Sequence, residues 1–196
     1  MNWDNIQQSV SGAWLLLFGK ADGLRRLDLS ADGFWNSFAA IPLALPPLLL
    51  NWIAVANERM AAGAFAGSRS SLILIFAVID LAAWLLPLVG LVFAARPAGI
   101  ADRLIAYVVA SNWASAIVAW LTLPAAMLSL LFPGAEAVDL FMLLLFIVTC
   151  VMSWRLTNAA IGKGAAVGGA VFVAMFIVSI AVVLLLSSLF GVSQPT

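Results

Sequence analysis

Long apolar stretches broken by short polar ones dominate the chain. Residues 34–56 are uncharged and rich in proline, 71–95 are interrupted only by Asp80, and 104–132 carry no charge. Residues 140–161 hold one charge, Arg155, near one end, and 165–190 are again uncharged. A helix needs about 20 apolar residues to cross ~30 Å of hydrocarbon, and each stretch is that long. The runs are continuous and do not alternate with period two, which predicts helices and not barrel strands. The pattern therefore predicts an all-α, polytopic membrane bundle of five transmembrane helices. Pro42, Pro46 and Pro47 each remove a backbone donor from the first span, so a kinked span is expected there, with a re-entrant hairpin as the other arrangement.

Residues 1–33 read differently. Ile6, Val10, Trp14 and Leu17 recur at helical spacing, with Gln7, Gln8, Ser9 and Ser11 between them. That spacing predicts an N-terminal amphipathic helix, lying at the membrane interface or under the bundle. No basic residue precedes the short 14–18 apolar run, so a secretory signal is not expected. Residues 21–33 hold Asp22, Asp28 and Asp32 beside Arg25 and Arg26, a polar linker into the first span. The triplet Ala-Asp-Gly stands at 21–23 and again at 31–33. The organisation expected is 1–33 as helix and linker, 34–190 as the five-span domain, and 191–196 as a short outer tail.

Composition removes many function classes. Of 196 residues 65% are hydrophobic and 9% charged, where soluble domains average about 25% charged. Mean hydropathy is +1.14. Nine basic residues balance nine acidic ones, which argues against nucleic acid as a partner. Histidine is absent and cysteine occurs once, at Cys150. Those counts argue against His-based acid/base work, haem–His ligation and clustered Cys metal sites. No catalytic, cofactor or metal site is expected.

Charge also predicts orientation, because basic residues concentrate on the cytoplasmic side. With five spans, Lys20, Arg25, Arg26, Arg96, Arg103, Arg155 and Lys163 share one side, while Arg59 and Arg69 take the other. The expected topology has the N-terminus in the cytoplasm of a bacterial cell, the C-terminus outside and the chain in the inner membrane.

Few residues inside the spans carry chemistry. An ionised carboxylate inside a span costs ~2.5–3.5 kcal/mol on insertion scales, so Asp80 must face the bundle. At ~1.5 Å rise per residue, Asp80 lies ~13 Å deep. Thr122, Thr149 and Ser179 fall at similar depth, and with Asp80 they form a candidate polar layer. A proton or substrate relay is one role for it, and an interhelical hydrogen-bond clamp is the other. Asn112, Arg155 and Asn158 form a second candidate cluster nearer the inner face, with Arg155 able to snorkel to headgroups. Gly164 and Gly168 have the small-xxx-small spacing of a close helix-packing face. Trp35, Trp52, Trp113 and Trp154 fall near predicted span ends, where indoles favour the interface; Trp84 and Trp120 fall deeper, where packing is expected.

The segment Phe34-Trp35-Asn36-Ser37-Phe38 opening a proline-bearing span, Ala106-Tyr107 opening the third, and the small-residue stretch 164–170 together give a recognisable layout. Over roughly residues 14–190 it resembles the bacterial members of the Yip1 family. That resemblance implies a cytoplasmic N-terminal segment, five closely spaced spans and a short outer tail. Eukaryotic relatives are linked to vesicle trafficking and small GTPases, and no catalytic residue exists to carry over. The function expected is a non-enzymatic organising or accessory component of inner-membrane assemblies. The alternative is a small transporter with a polar path around Asp80. Expected partners are the lipid bilayer and other membrane proteins or a second copy of the chain.

Overall fold

In the computed structural model, which describes residues 3–192, helices joined by short turns make up the chain, with no strand among the described residues. Helix α1 spans Trp3–Leu17, α2 Ala31–Asn36, α3 Ala40–Ala61 and α4 Arg69–Ala94. Helix α5 spans Leu104–Leu131, α6 Glu136–Ile161 and α7 Ala165–Leu189. A tight turn at Ser37–Ala39 joins α2 to α3. Among the described residues, five segments are long and apolar enough to cross a membrane: Ala31–Ala61, Arg69–Ala94, Ala101–Leu131, Glu136–Ile161 and Ala165–Leu189.

The first of these starts before its apolar run does. The Ser30 side chain accepts from the Gly33 amide at 3.0 Å, which caps the helix start. The Ser30 amide in turn donates to Asp28 Oδ1 at 3.0 Å. Hydrogen bonds from Ser30 hold the Asp28 carboxyl below its ordinary value. The helix then runs unbroken through Pro46 and Pro47, so no hairpin turns back at the prolines.

The five long segments close into a ring. α3 packs on α4, α4 on α7, α7 on α6, α6 on α5, and α5 on α3, while α4 and α5 barely touch across it. The main core fills one end and includes Leu16, Leu17, Tyr107, Val108, Val109, Leu156 and Ile161. A smaller one at the other end joins Ala56, Leu72, Ile79 and Val192. Large apolar side chains such as Leu74, Phe93, Leu144, Ile177 and Leu184 remain exposed on the outside, and α7 buries only Gly168 and Val171. An apolar exterior of this extent calls for lipid around it. At the end holding Arg96 and Arg103, the Lys163 ammonium donates to the Gly99 carbonyl and to Asp102, each at 2.6 Å. This clasp ties the α4–α5 connection to the α6–α7 connection.

Helix α1 lies outside the ring against α5 and α6. Its buried face is Ser9, Gly12, Ala13, Leu16 and Leu17, with Ile6 and Val10 half-buried. Of the stripe predicted from sequence, Ile6, Val10 and Leu17 pack against the core while Trp14 is 41% exposed; the small residues Gly12 and Ala13 share the buried face and allow the close approach. A Cβ on Gly12 would stand 2.8 Å from the Gly23 carbonyl oxygen, so α1 and the turn at Ala21–Arg26 meet backbone to backbone. The two Ala-Asp-Gly triplets do the same local work: each opens a short helical segment, at Ala21 and at Ala31, and each glycine is buried against a carbonyl, of Gly12 and of Asp28 respectively. Of the C-terminal stretch 191–196, Gly191 and Val192 are described and Val192 is buried; the remainder lies outside the described residues.

Candidate functional site: a polar cavity inside the helix ring

Inside the ring lies a cavity of about 440 Å³. Asp80, Thr122, Thr149 and Ser179 all line it, so four different helices bring the candidate polar layer to one space. Ser111, Ser115, Ser153, Thr157 and Tyr107 add further hydroxyls. Trp84, Phe172 and Phe176 supply aromatic surface, with Phe172 and Phe176 stacked at 5.9 Å. Cys150 also faces this space as a free thiol.

The layer is not joined by hydrogen bonds among its own members. Thr122 Oγ1 donates to the Ala119 carbonyl and Thr149 Oγ1 to the Phe146 carbonyl, each at 3.0 Å and each within its own helix. The partner of Asp80 is Trp52, whose indole Nε1 donates to Oδ2 at 2.7 Å. Trp52 was expected at an interface; it is 5% exposed instead, because its N–H finds a carboxylate inside the ring. This bond clamps α3 to α4.

Ser179 Oγ donates to the Ala83 carbonyl at 3.1 Å. That acceptor is free for a definite reason: Pro87, four residues on, has no N–H to give it. The same logic holds on α3. Pro47 frees the Leu43 carbonyl, and the Trp120 indole of α5 donates to it at 3.0 Å. A proline-freed carbonyl inside a membrane is tolerated when a neighbouring helix satisfies it, and here the replacement donors also fix which helix lies beside which. Ser179→Ala is expected to lower stability in detergent by ~0.6–2 kcal/mol. In a Pro87→Ala background the helix regains its own donor, so the cost of Ser179→Ala should nearly vanish. Equal costs in the two backgrounds, measured by chemical denaturation, would rule this account out.

The second predicted cluster divides. Asn112 is fully buried; its Oδ1 accepts from Trp84 Nε1 at 3.0 Å and its Nδ2 donates to Ser37 Oγ at 2.9 Å. It ties α5 to α4 and to the α2–α3 junction, and is not grouped with Arg155. Arg155 and Asn158 do share a hollow, with Gly19, Trp154 and Gly164. The Arg155 Cβ lies 3.7 Å from where a Gly19 Cβ would be, which places this arginine at the level where α1 ends.

The glycine pair also separates. Gly168 sits against Asn158 of α6, whose Cα would be 2.8 Å from a Cβ added there. Gly164 has open space around it and instead carries φ 91°, where it caps the start of α7. The four-residue spacing reflects one packing glycine and one capping glycine, so Gly164 is not part of a helix-packing face.

Among the described residues no group of three or more His, Cys, Asp or Glu side chains is placed to hold a metal ion. Comparison with family models, with curated proteins and with solved structures finds no match to this chain.

Proposed function

We propose that the chain is a non-enzymatic multi-pass membrane protein that binds a small amphiphilic organic cation within its helix ring and carries it across the bilayer. One observation carries this reading: between the helices of the ring lies an open cavity of about 440 Å³ that a carboxylate lines together with hydroxyls and aromatic rings. The chemistry of the lining selects the ligand class. Asp80 attracts a positive charge that it cannot obtain from the chain, since no Lys or Arg lines the cavity. The faces of Trp84, Phe172 and Phe176 suit an organic cation, whose attraction to aromatic rings reaches about 2 kcal/mol when desolvated. The remaining wall is apolar, fitting the rest of an amphiphile.

Benzyltrimethylammonium, which combines a fixed charge with one aromatic ring, is the probe. Purified protein in liposomes is expected to bind it saturably and to exchange it across the bilayer. Absence of saturable binding removes the carrier reading and returns the chain to an organising or accessory role, in keeping with the Yip1-like layout.

The same proposal places the chain in a bacterial inner membrane with a cytoplasmic N-terminus and an external C-terminus. Helix α1, seated beside Arg155 and Lys20, then lies at the cytoplasmic interface. Its support is the excess of basic residues at one end of the ring. Alkaline phosphatase fused after Thr196 should be active, and fused after Lys163 it should be silent. The reverse pattern contradicts this orientation.

A further inference from the structure

Outside the ring, α1 leaves a groove of about 580 Å³ against α3 and α5. Its walls are apolar: Val10, Trp14, Leu43, Ile117, Trp120 and Leu121. Polar groups gather on α1 and the following turn, where Arg26 and Ser11 line the same space. Arg26 Nη1 donates to Ser11 Oγ at 3.1 Å. Its neighbour Arg25 holds Asp22 at 3.7 Å, whereas Arg26 has no ion pair among the described residues. A guanidinium without a carboxylate, set at the edge of an apolar groove on the lipid-facing side of a bundle, is complementary to one kind of molecule.

We infer that this groove is a binding site for an anionic phospholipid, with its phosphate on Arg26 and Ser11 and an acyl chain along Leu43, Ile117, Trp120 and Leu121. The planar guanidinium can give two parallel N–H donors to phosphate oxygens. Basic pockets beside membrane helices recognise anionic headgroups in this way. A soluble anion would satisfy Arg26 but leave the apolar walls bare; a zwitterionic lipid would fill the walls but bring its own cation to the arginine. An anionic lipid does both. The site is separate from the Asp80 cavity and does not depend on it.

Trp14 and Trp120 make the groove observable. The full chain is reconstituted in phosphatidylcholine containing a small, equal mole fraction of either dibrominated phosphatidylglycerol or dibrominated phosphatidylcholine. The Trp14 component of quenching is obtained by difference from Trp14→Phe. Quenching by the anionic lipid should exceed that by the zwitterionic one at least threefold. Arg26→Gln should remove the excess, and Arg26→Lys should keep part of it. Soluble glycerol phosphate should not relieve the quenching. Equal quenching by the two lipids overturns the proposal, as does an excess that survives Arg26→Gln. Full relief by glycerol phosphate overturns it too, since the site would then need no acyl chain. If Trp14→Phe does not fold, total tryptophan quenching of the unaltered chain must still be greater with the anionic lipid than with the zwitterionic one, and equal totals overturn the proposal.

Discussion

Asp80→Asn is expected to weaken benzyltrimethylammonium binding ten- to a hundred-fold and to leave the fold intact. This change removes the charge and turns one of the two acceptor oxygens into an NH2 donor, at nearly constant size. An asparagine Oδ1 can still accept the Trp52 indole N–H that now donates to Asp80 at 2.7 Å, so the clamp between α3 and α4 persists. A charged partner contributes ~1.5–3 kcal/mol to a polar contact, and each ~1.4 kcal/mol is a factor of ten. Asp80→Leu differs in kind: it deletes the acceptor and strands a buried indole N–H. It should lose binding and also ~0.6–2 kcal/mol of stability. Isothermal titration gives the first quantity and thermal unfolding in detergent the second. If Asp80→Asn binds the cation as the native chain does, the carboxylate is not the ligand group. If both variants are as stable as the native chain, the Trp52 bond is not a clamp.

The two roles weighed for Asp80 from sequence are therefore not exclusive. Burial of Trp52 makes one carboxylate oxygen structural, and the cavity puts the same residue on a ligand-sized space. Depth counting brought Thr122, Thr149 and Ser179 to the level of Asp80 because straight helices of similar length keep register with one another. It could not show that these hydroxyls bond to their own backbones or to a proline-freed carbonyl, since depth says nothing about rotation about the helix axis. Half of the proline signal was in the sequence: Pro47 and Pro87 name Leu43 and Ala83 as orphaned acceptors. The donors, Trp120 and Ser179, come from helices distant in the chain, and only packing selects them.

Asn112 shows a different failure. Hydropathy started the first span at Phe34, which left Ser37 near its mouth. The Ser30 cap starts the helix at Ala31 instead, which carries Ser37 inward to meet Asn112. A cap made of polar residues is invisible to a window that measures apolarity. The ring itself was also beyond reach. Five apolar helices can be arranged in many orders, and the sequence holds no charge pattern inside the spans that would choose α3, α4, α7, α6, α5.

Gly168 is where that order is most exposed to a single change. Gly168→Val should destabilise the bundle by ~3 kcal/mol, near the upper end of the usual cost of overpacking. A Cβ there would press on Asn158 Oδ1 and on the Asn158 Cα, which would be only 2.8 Å away. A backbone atom cannot turn aside as a flexible side chain can, so α7 must move off α6, and the cavity between them must open. Two neighbouring glycines supply the comparison. Gly169→Ala meets nothing nearer than Trp154 Nε1 at 3.7 Å, and should be neutral or slightly stabilising, because glycine inside a helix costs ~0.5–1 kcal/mol relative to alanine. Gly164→Ala has room but must hold φ 91° and ψ 158°, an extended positive-φ region almost exclusive to glycine, at a cost of ~1–3 kcal/mol for other residues. Asn158→Ala should rescue Gly168→Val in part, by removing the Oδ1 contact while leaving the backbone one. The expected ranking of unfolding midpoints in detergent is Gly169→Ala, then Gly164→Ala, then Gly168→Val with Asn158→Ala, then Gly168→Val alone. A Gly168→Val loss no larger than that of Gly169→Ala would mean that Gly168 does not lie on a packing face, and that the contact partner of α7 is not the one described.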